Sequence, residues 1–171
     1  MTATLAIDRI DTSIWHPKLR VLHDLWRDVA PAPDLLPGRQ HISPELLKPW
    51  LPNIWLIDAV ESETDYEGCS PRFRYRLVGT KLVEMRGGHN PVGEWLDEAN
   101  PARQSPNPTA ARMREVVRSR QPSWRHGLPN NRRIDDIKQI ENLFLPLASD
   151  SNRVNMLLCC SLYFGFAGRE L

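Results

Sequence analysis

The stretch FRYRLVGT, Phe73 to Thr80, alternates bulky and charged side chains with a period of two and then stops at a glycine. Alternate residues of an extended chain share a face. Phe73, Tyr75 and Leu77 are therefore expected on one side and Arg74, Arg76 and Val78 on the other, as in a half-buried strand. Gly79 and Thr80 break the alternation, and Lys81 to Met85 can form a short helix that Gly87 and Gly88 end. A strand, a turn and a short helix in this order lay the helix over one face of an antiparallel sheet and can leave a pocket beneath it.

Upstream, Ile54 to Val60 reads IWLIDAV, an apolar run of strand length, and the acidic loop around Glu61, Glu63, Asp65 and Glu67 returns the chain to FRYRLVGT as an antiparallel partner. Before it, Ser43 and Pro44 can cap and open a short helix carrying Leu46, Leu47 and Trp50. The chain begins with a longer helix, about Ser13 to Val29, capped by Ser13 with Pro17 in its first turn. Trp15, Leu19, Leu22, Trp26 and Val29 recur at spacings of four and three and form one apolar stripe. Such a stripe packs on the outer face of the chain's own sheet, against the same helix of a second subunit, or on both. The second alternative makes these five residues a dimer interface. Pro31, Pro33, Pro37 and Gly38 then separate residues 1–38 from a main unit at 39–171.

Downstream, HNPVGEWLDEA suggests a turn and a short helix. Asn107 and Pro108 cap and open a helix to about Ser119 whose apolar face holds Ala110, Met113 and Val117. Trp124 starts a third strand. Ile140 to Ala148 and Val154 to Phe164 close the chain as a hairpin around the polar turn SDSN, and Pro146 should lie at an edge or a bulge. Antiparallel strands around a central helical block make an α+β domain with one sheet.

With 171 residues, 41% hydrophobic and 25% charged, the chain suffices for one packed core. No apolar run approaches the roughly 18 residues of a membrane span, and Asp8 and Asp11 interrupt any leader-like start, so a cytoplasmic protein without membrane contact is expected. Three cysteines, with Cys159 and Cys160 adjacent, do not suggest a disulfide framework, and Cys69 lies in a polar loop. A net charge of +1 exerts no global pull on nucleic acid. The basic segment between Arg103 and Arg133 has few interleaved aromatics, so no nucleic-acid partner is expected.

In their order along the chain, LHDLWRD, LLPGRQHISPELLKPWLPNIWLIDAV, FRYRLVGT, GGHNPVGEWLDE and IENLFLPLASDSNRVNMLLCCSLYF resemble a PAS domain. The resemblance points to the proteobacterial branch of short single-PAS proteins with an N-terminal helix. It implies a PAS fold with a five-stranded antiparallel sheet, helices on one face and an additional N-terminal helix. It also implies a sensory or regulatory module of bacterial signal transduction that binds a small molecule, a protein partner or both, or else a ligand-free module for dimerisation. One departure is SDSN, where the resemblance would place a glycine.

Enzymatic signatures are absent: no HExxH, CxxC, GxxxxGK[ST] or GxSxG occurs, so no catalytic residue and no metal is expected. The flavin-photosensor stretch GxNCRFLQ has no counterpart, and His89 and His126 are the only axial candidates for a haem, so no cofactor is expected. Phe73, Tyr75 and Leu77 are expected to face Leu82, Met85, Trp95, Met113 and Val117 across the inner side of the sheet. These side chains either fill a core or line a pocket for a small, uncharged or weakly polar ligand.

Overall fold

The computed structural model describes residues 11–61, 70–96, 107–128 and 137–171. The expectations resting on Cys69, on the acidic loop beyond Glu61, on the end of HNPVGEWLDEA as a short helix, and on Arg103, Arg132 and Arg133 fall outside them. Five strands, β1 (Ile54–Val60), β2 (Arg72–Val78), β3 (Ser123–Gly127), β4 (Gln139–Leu147) and β5 (Met156–Phe164), form one antiparallel sheet in the order β2-β1-β5-β4-β3. The helices are α1 (Pro17–Asp28), α2 (Pro44–Leu47), α3 (Thr80–Met85) and α4 (Pro108–Ser119). This is the expected α+β sheet with an N-terminal helix packed against it.

Helix boundaries follow from capping chemistry. Ser43 Oγ accepts from the Leu46 N–H at 3.4 Å, and Asn107 Oδ1 accepts from Thr109 N–H at 2.9 Å and Ala110 N–H at 3.4 Å. The first helix differs from expectation. Pro17, not a residue in mid-turn, is its first position, and His16 Nδ1 accepts the Lys18 N–H at 3.3 Å. Proline has a fixed φ and no N–H to satisfy, so it belongs at the first position, and the start moves from Ser13 to Pro17.

Cross-strand partners share a face, and this assigns both sides of the sheet. The outer face carries Ile54, Leu56, Leu143, Leu145, Leu158, Cys160, Trp124 and Glu141. Here α1 docks: Leu19, Leu22, Trp26 and Trp15 are 0–4% exposed, and Trp26 Nε1 donates to the Pro146 carbonyl at 2.9 Å. Trp15 stacks on Trp124 at 5.8 Å, and the buried Glu141 carboxylate accepts from the His16 N–H at 3.0 Å and from Trp124 Nε1 at 3.2 Å. Within the single chain the stripe Trp15, Leu19, Leu22, Trp26 is thus core, with Val29 packed at its margin. The stripe packs on the chain's own sheet, because β4 and β5 present a leucine-rich surface that would otherwise face water.

Leu77 departs from the alternation that Phe73 and Tyr75 obey. Leu56 pairs with Leu77 but Ile57 pairs with Tyr75, which leaves Arg76 as an extra residue on β2. A bulge of one residue reverses the phase beyond it. Phe73 and Tyr75 face inward at 2% and 6% exposure, whereas Leu77 joins Leu56 on the outer face and is 38% exposed. Leu77 is therefore not a lining residue of the inner face.

Gly79 ends β2 for a steric reason. A Cβ there would stand 2.4 Å from the carbonyl oxygens of Leu51 and Pro52, in the 3₁₀ turn Lys48–Asn53. Its N–H donates to Ile54 O at 2.7 Å, which seats α3 beside the start of β1. Pro146 lies where expected, since β3 ends opposite Phe144 and leaves β4 locally an edge. At the hairpin tip, Asp150 Oδ1 accepts from the N–H groups of Asn152 and Arg153, and Ser151 takes the positive φ that a glycine would favour.

His23 is buried between Trp15 and Trp26, at 5.4 and 5.7 Å between ring centroids. Burial, first, and Arg27 push its pKa below the ordinary histidine value, against the pull of Asp24. The unfolded chain then binds the proton more readily than the folded one. The stability from neutral His23 is fully present above about pH 6.5 and is lost as pH falls from there through the folded pKa. Thermal midpoints measured at about pH 7.5 and about pH 5.5 should drop more for the native chain than for His23→Leu.

Candidate functional site

The inner face of the sheet is built from the other parity of the strands. Trp55, Ile57 and Ala59 of β1, Phe73 and Tyr75 of β2, Leu157, Cys159, Ser161 and Tyr163 of β5, and Asn142 and Phe144 of β4 fall on it. The three central aromatics touch: Trp55 lies 5.8 Å from Tyr75 and 5.6 Å from Phe144 between centroids, the latter at 90°. Edge and offset contacts of this kind add to the burial they bring.

Two polar groups of residues flank this aromatic wall. Beside α3, Arg86 Nη1 donates to the Tyr75 hydroxyl at 3.5 Å with its guanidinium 5.4 Å from the ring centroid. Trp55 Nε1 donates to Ser161 Oγ at 3.2 Å and Asn53 Nδ2 to the Ser161 carbonyl at 3.0 Å. Burial pushes the Tyr163 phenol up to about 12, with the Ser161 hydroxyl acting the other way. Beneath α4, Arg112 donates from Nε to Ser123 Oγ at 2.7 Å, from Nη2 to the carbonyls of Ser123 and of Asn142 (3.1 Å), and from Nη1 to Asn142 Oδ1. Its guanidinium lies 3.9 Å from the Phe144 ring centroid. Burial, reinforced by Arg125, pulls its pKa down to about 10, so the group stays charged at neutral pH.

Of the side chains expected at the site, Phe73 and Tyr75 lie together on the inner face of β2, and Met113 is buried, at 0% exposure, on α4, which packs on β4. Met85 is half-buried at the end of α3. Val117 packs at the edge of the core and faces a surface groove. Trp95 does not join the inner set. The segment from Gly93 to Leu96 hydrogen-bonds along β2, through Gly93 N–H to Tyr75 O at 2.8 Å and Leu96 N–H to Phe73 O at 2.8 Å. This places Trp95 beside Arg74 and under the guanidinium of Arg72 at 4.1 Å, on the arginine side of the strand. The buried neighbour is Leu96.

Sequence reading placed none of Trp55, Phe144, Arg112, Asn142, Ser161 and Tyr163 at the site by name. The signal that finds the strand residues is parity: once β5 is a strand, Cys159, Ser161 and Tyr163 share one face and Cys160 and Leu162 the other. Cys159 indeed faces α4 and Cys160 faces α1, both fully buried. Burial pushes the Cys160 thiol up to about 12 and Cys159 well above its ordinary value, so neither is a thiolate nucleophile. His89 is exposed and pairs with Glu94 at 3.0 Å, while His126 stacks on Trp124 at 6.1 Å on the outer face. Among the described residues no group of three or more His, Cys, Asp or Glu is placed to hold a metal ion, and no helix is long and apolar enough to cross a membrane.

A search of curated proteins returned no match. A protein-family model described as PAS domain matches residues 14–161, from the turn before α1 to Ser161 on β5. That span takes in β1 to β4, most of β5 and the four helices described above, and the chain belongs to the PAS domain family.

Proposed function

We propose that this PAS domain is a non-catalytic sensory or regulatory module of bacterial signal transduction, and that its inner face receives a small, uncharged or weakly polar molecule whose presence is passed to a protein partner. The observation that carries the reading is the aromatic wall of Trp55, Tyr75 and Phe144 with hydrogen-bonding groups along it, Arg86 at Tyr75, Arg112 at Phe144, and the cross-strand neighbours Ser161 and Asn142. Apolar walls with a few convergent polar groups are what small organic ligands require. A homodimer belongs to this reading as well. With the stripe turned inward, Ile14 and Val21 stand out from the first helix region at 71% and 55% exposure.

A second reading, a ligand-free interaction module, is favoured by the packing beneath α4, where Met113 and Phe144 are 0% and 1% exposed. Mass spectrometry of small molecules released from protein purified from its own host separates the two. A stoichiometric organic compound supports the sensor, and none supports the interaction module. Met113→Ala reads the same difference in energy. A filled core should lose about 2–5 kcal/mol, measured by urea unfolding, while a ligand-holding site should lose less and change its affinity for the released compound.

A further inference from the structure

A groove of about 380 Å³ opens where the C-terminal end of α4, the end of β1, the start of β2 and the β4–β5 hairpin meet. Ala59, Pro71, Val117 and Val154 give it apolar walls, and among the described residues that line it three arginines, Arg118, Arg120 and Arg153, stand against one acid, Glu61. Two of the arginines are already engaged. Arg118 grips Glu115 through Nη2 at 2.7 Å and Nε at 3.0 Å, and Arg153 contacts Glu61.

Arg120 differs from both. It caps α4 in the left-handed conformation, with φ +59° and its N–H on Val116 O at 2.9 Å. Glycine or asparagine takes this position at little cost, whereas a branched or long L side chain is strained there by about 1–2 kcal/mol. Its Nε is buried without a hydrogen-bond partner among the described residues. Arg120 also acts on Asp150, whose carboxylate is held low chiefly by the N–H groups of Asn152 and Arg153 and least by Arg120. A strained backbone and an orphaned donor on one residue are two costs without return among the described residues.

We propose that this groove binds a small organic carboxylate, with Arg120 pairing the carboxylate and the Ala59, Pro71, Val117 and Val154 walls holding the apolar body. The carbonyls at the end of α4 disfavour an anion, so affinity rests on the guanidiniums and falls with salt. The groove opens at the margin of the inner face, sharing Ala59 with it, but Trp55, Tyr75 and Phe144 do not line it, so the proposal stands or falls independently of the ligand proposed there.

The test uses the whole chain with benzoate as probe and benzamide as the uncharged analogue of the same shape, followed by amide chemical-shift titration. Benzoate should give saturable shifts centred on Asn152 to Val154, and benzamide should bind more weakly. Arg120→Gly should bind benzoate at least about tenfold more weakly. Because glycine adopts the positive φ freely, the same variant should melt no lower than the native chain, which separates lost recognition from lost folding. Absence of saturable benzoate binding, equal affinity for benzamide, or undiminished binding by Arg120→Gly would each overturn the proposal.

Discussion

Replacing Leu22 and Trp26 together by glutamate should abolish the cooperative fold. Both side chains sit between α1 and the outer face of the sheet at 1% and 3% exposure, and the Trp26 indole also satisfies the Pro146 carbonyl. Loss of one large apolar side chain from such a site costs about 2–5 kcal/mol, and a carboxylate left there unpaired adds several more. A domain of this kind holds only about 5–15 kcal/mol in total, so two such changes exhaust it. Circular dichroism melts and light scattering should show an unfolded or aggregated chain. A soluble monomer with native melting behaviour would mean that the stripe serves another subunit and not the chain's own sheet.

Arg112→Leu should produce the second large effect. This guanidinium ties α4 to β3 and β4 through the oxygens of Ser123 and Asn142, and among the described residues no carboxylate is one of its partners. Removing it strands acceptors that are partly buried, at about 1–3 kcal/mol for each one that water cannot reach. Arg112→Lys should recover little, because an ammonium presents one point of charge where the fork meets several oxygens at fixed angles. Denaturant unfolding of both variants measures the loss. A lysine variant as stable as the native chain would show that charge alone, and not the planar fork, holds α4 in place.

What the sequence discloses depends on which forces act locally. The caps at Ser43 and Asn107 are visible because each involves one side chain and a backbone group two or three residues away. The strand Phe73 to Val78 is visible from its period of two, yet the fate of Leu77 turns on a bulge, and a bulge is a property of the pairing with Leu56 and Ile57. Trp95 illustrates the same limit. GEWL marks a turn, but which side of β2 the indole takes is decided by hydrogen bonds to Phe73 and Tyr75.

The closing strands show a different limit. LFLPL and LLCCSL carry almost no alternation, because both sides of β4 and β5 are covered, one by α1 and the other beneath α4. A sequence without alternation cannot say which residues face the candidate site, and only the register with β1 sorts Cys159 from Cys160. The arginines of α4 are likewise alike in the sequence. Packing selects Arg112 for the inner face and leaves Arg118 in water.

Docking of α1 also determines what the sheet has to offer a visitor. The helix claims the leucine-rich middle of the outer face, so a protein approaching broadside cannot use that surface without evicting the helix. What stays open lies at the β2 corner, where Arg74 and Arg76 share the carboxylate of Asp58, Leu77 is partly bare, and Trp95 lies against the guanidinium of Arg72. The bulge at Arg76 is what turns Leu77 toward that corner, so a single extra residue in β2 moves one leucine from the interior to the exterior vocabulary of the domain. Any contact made there is written in cations and one aliphatic side chain, a chemistry unlike that of the covered middle.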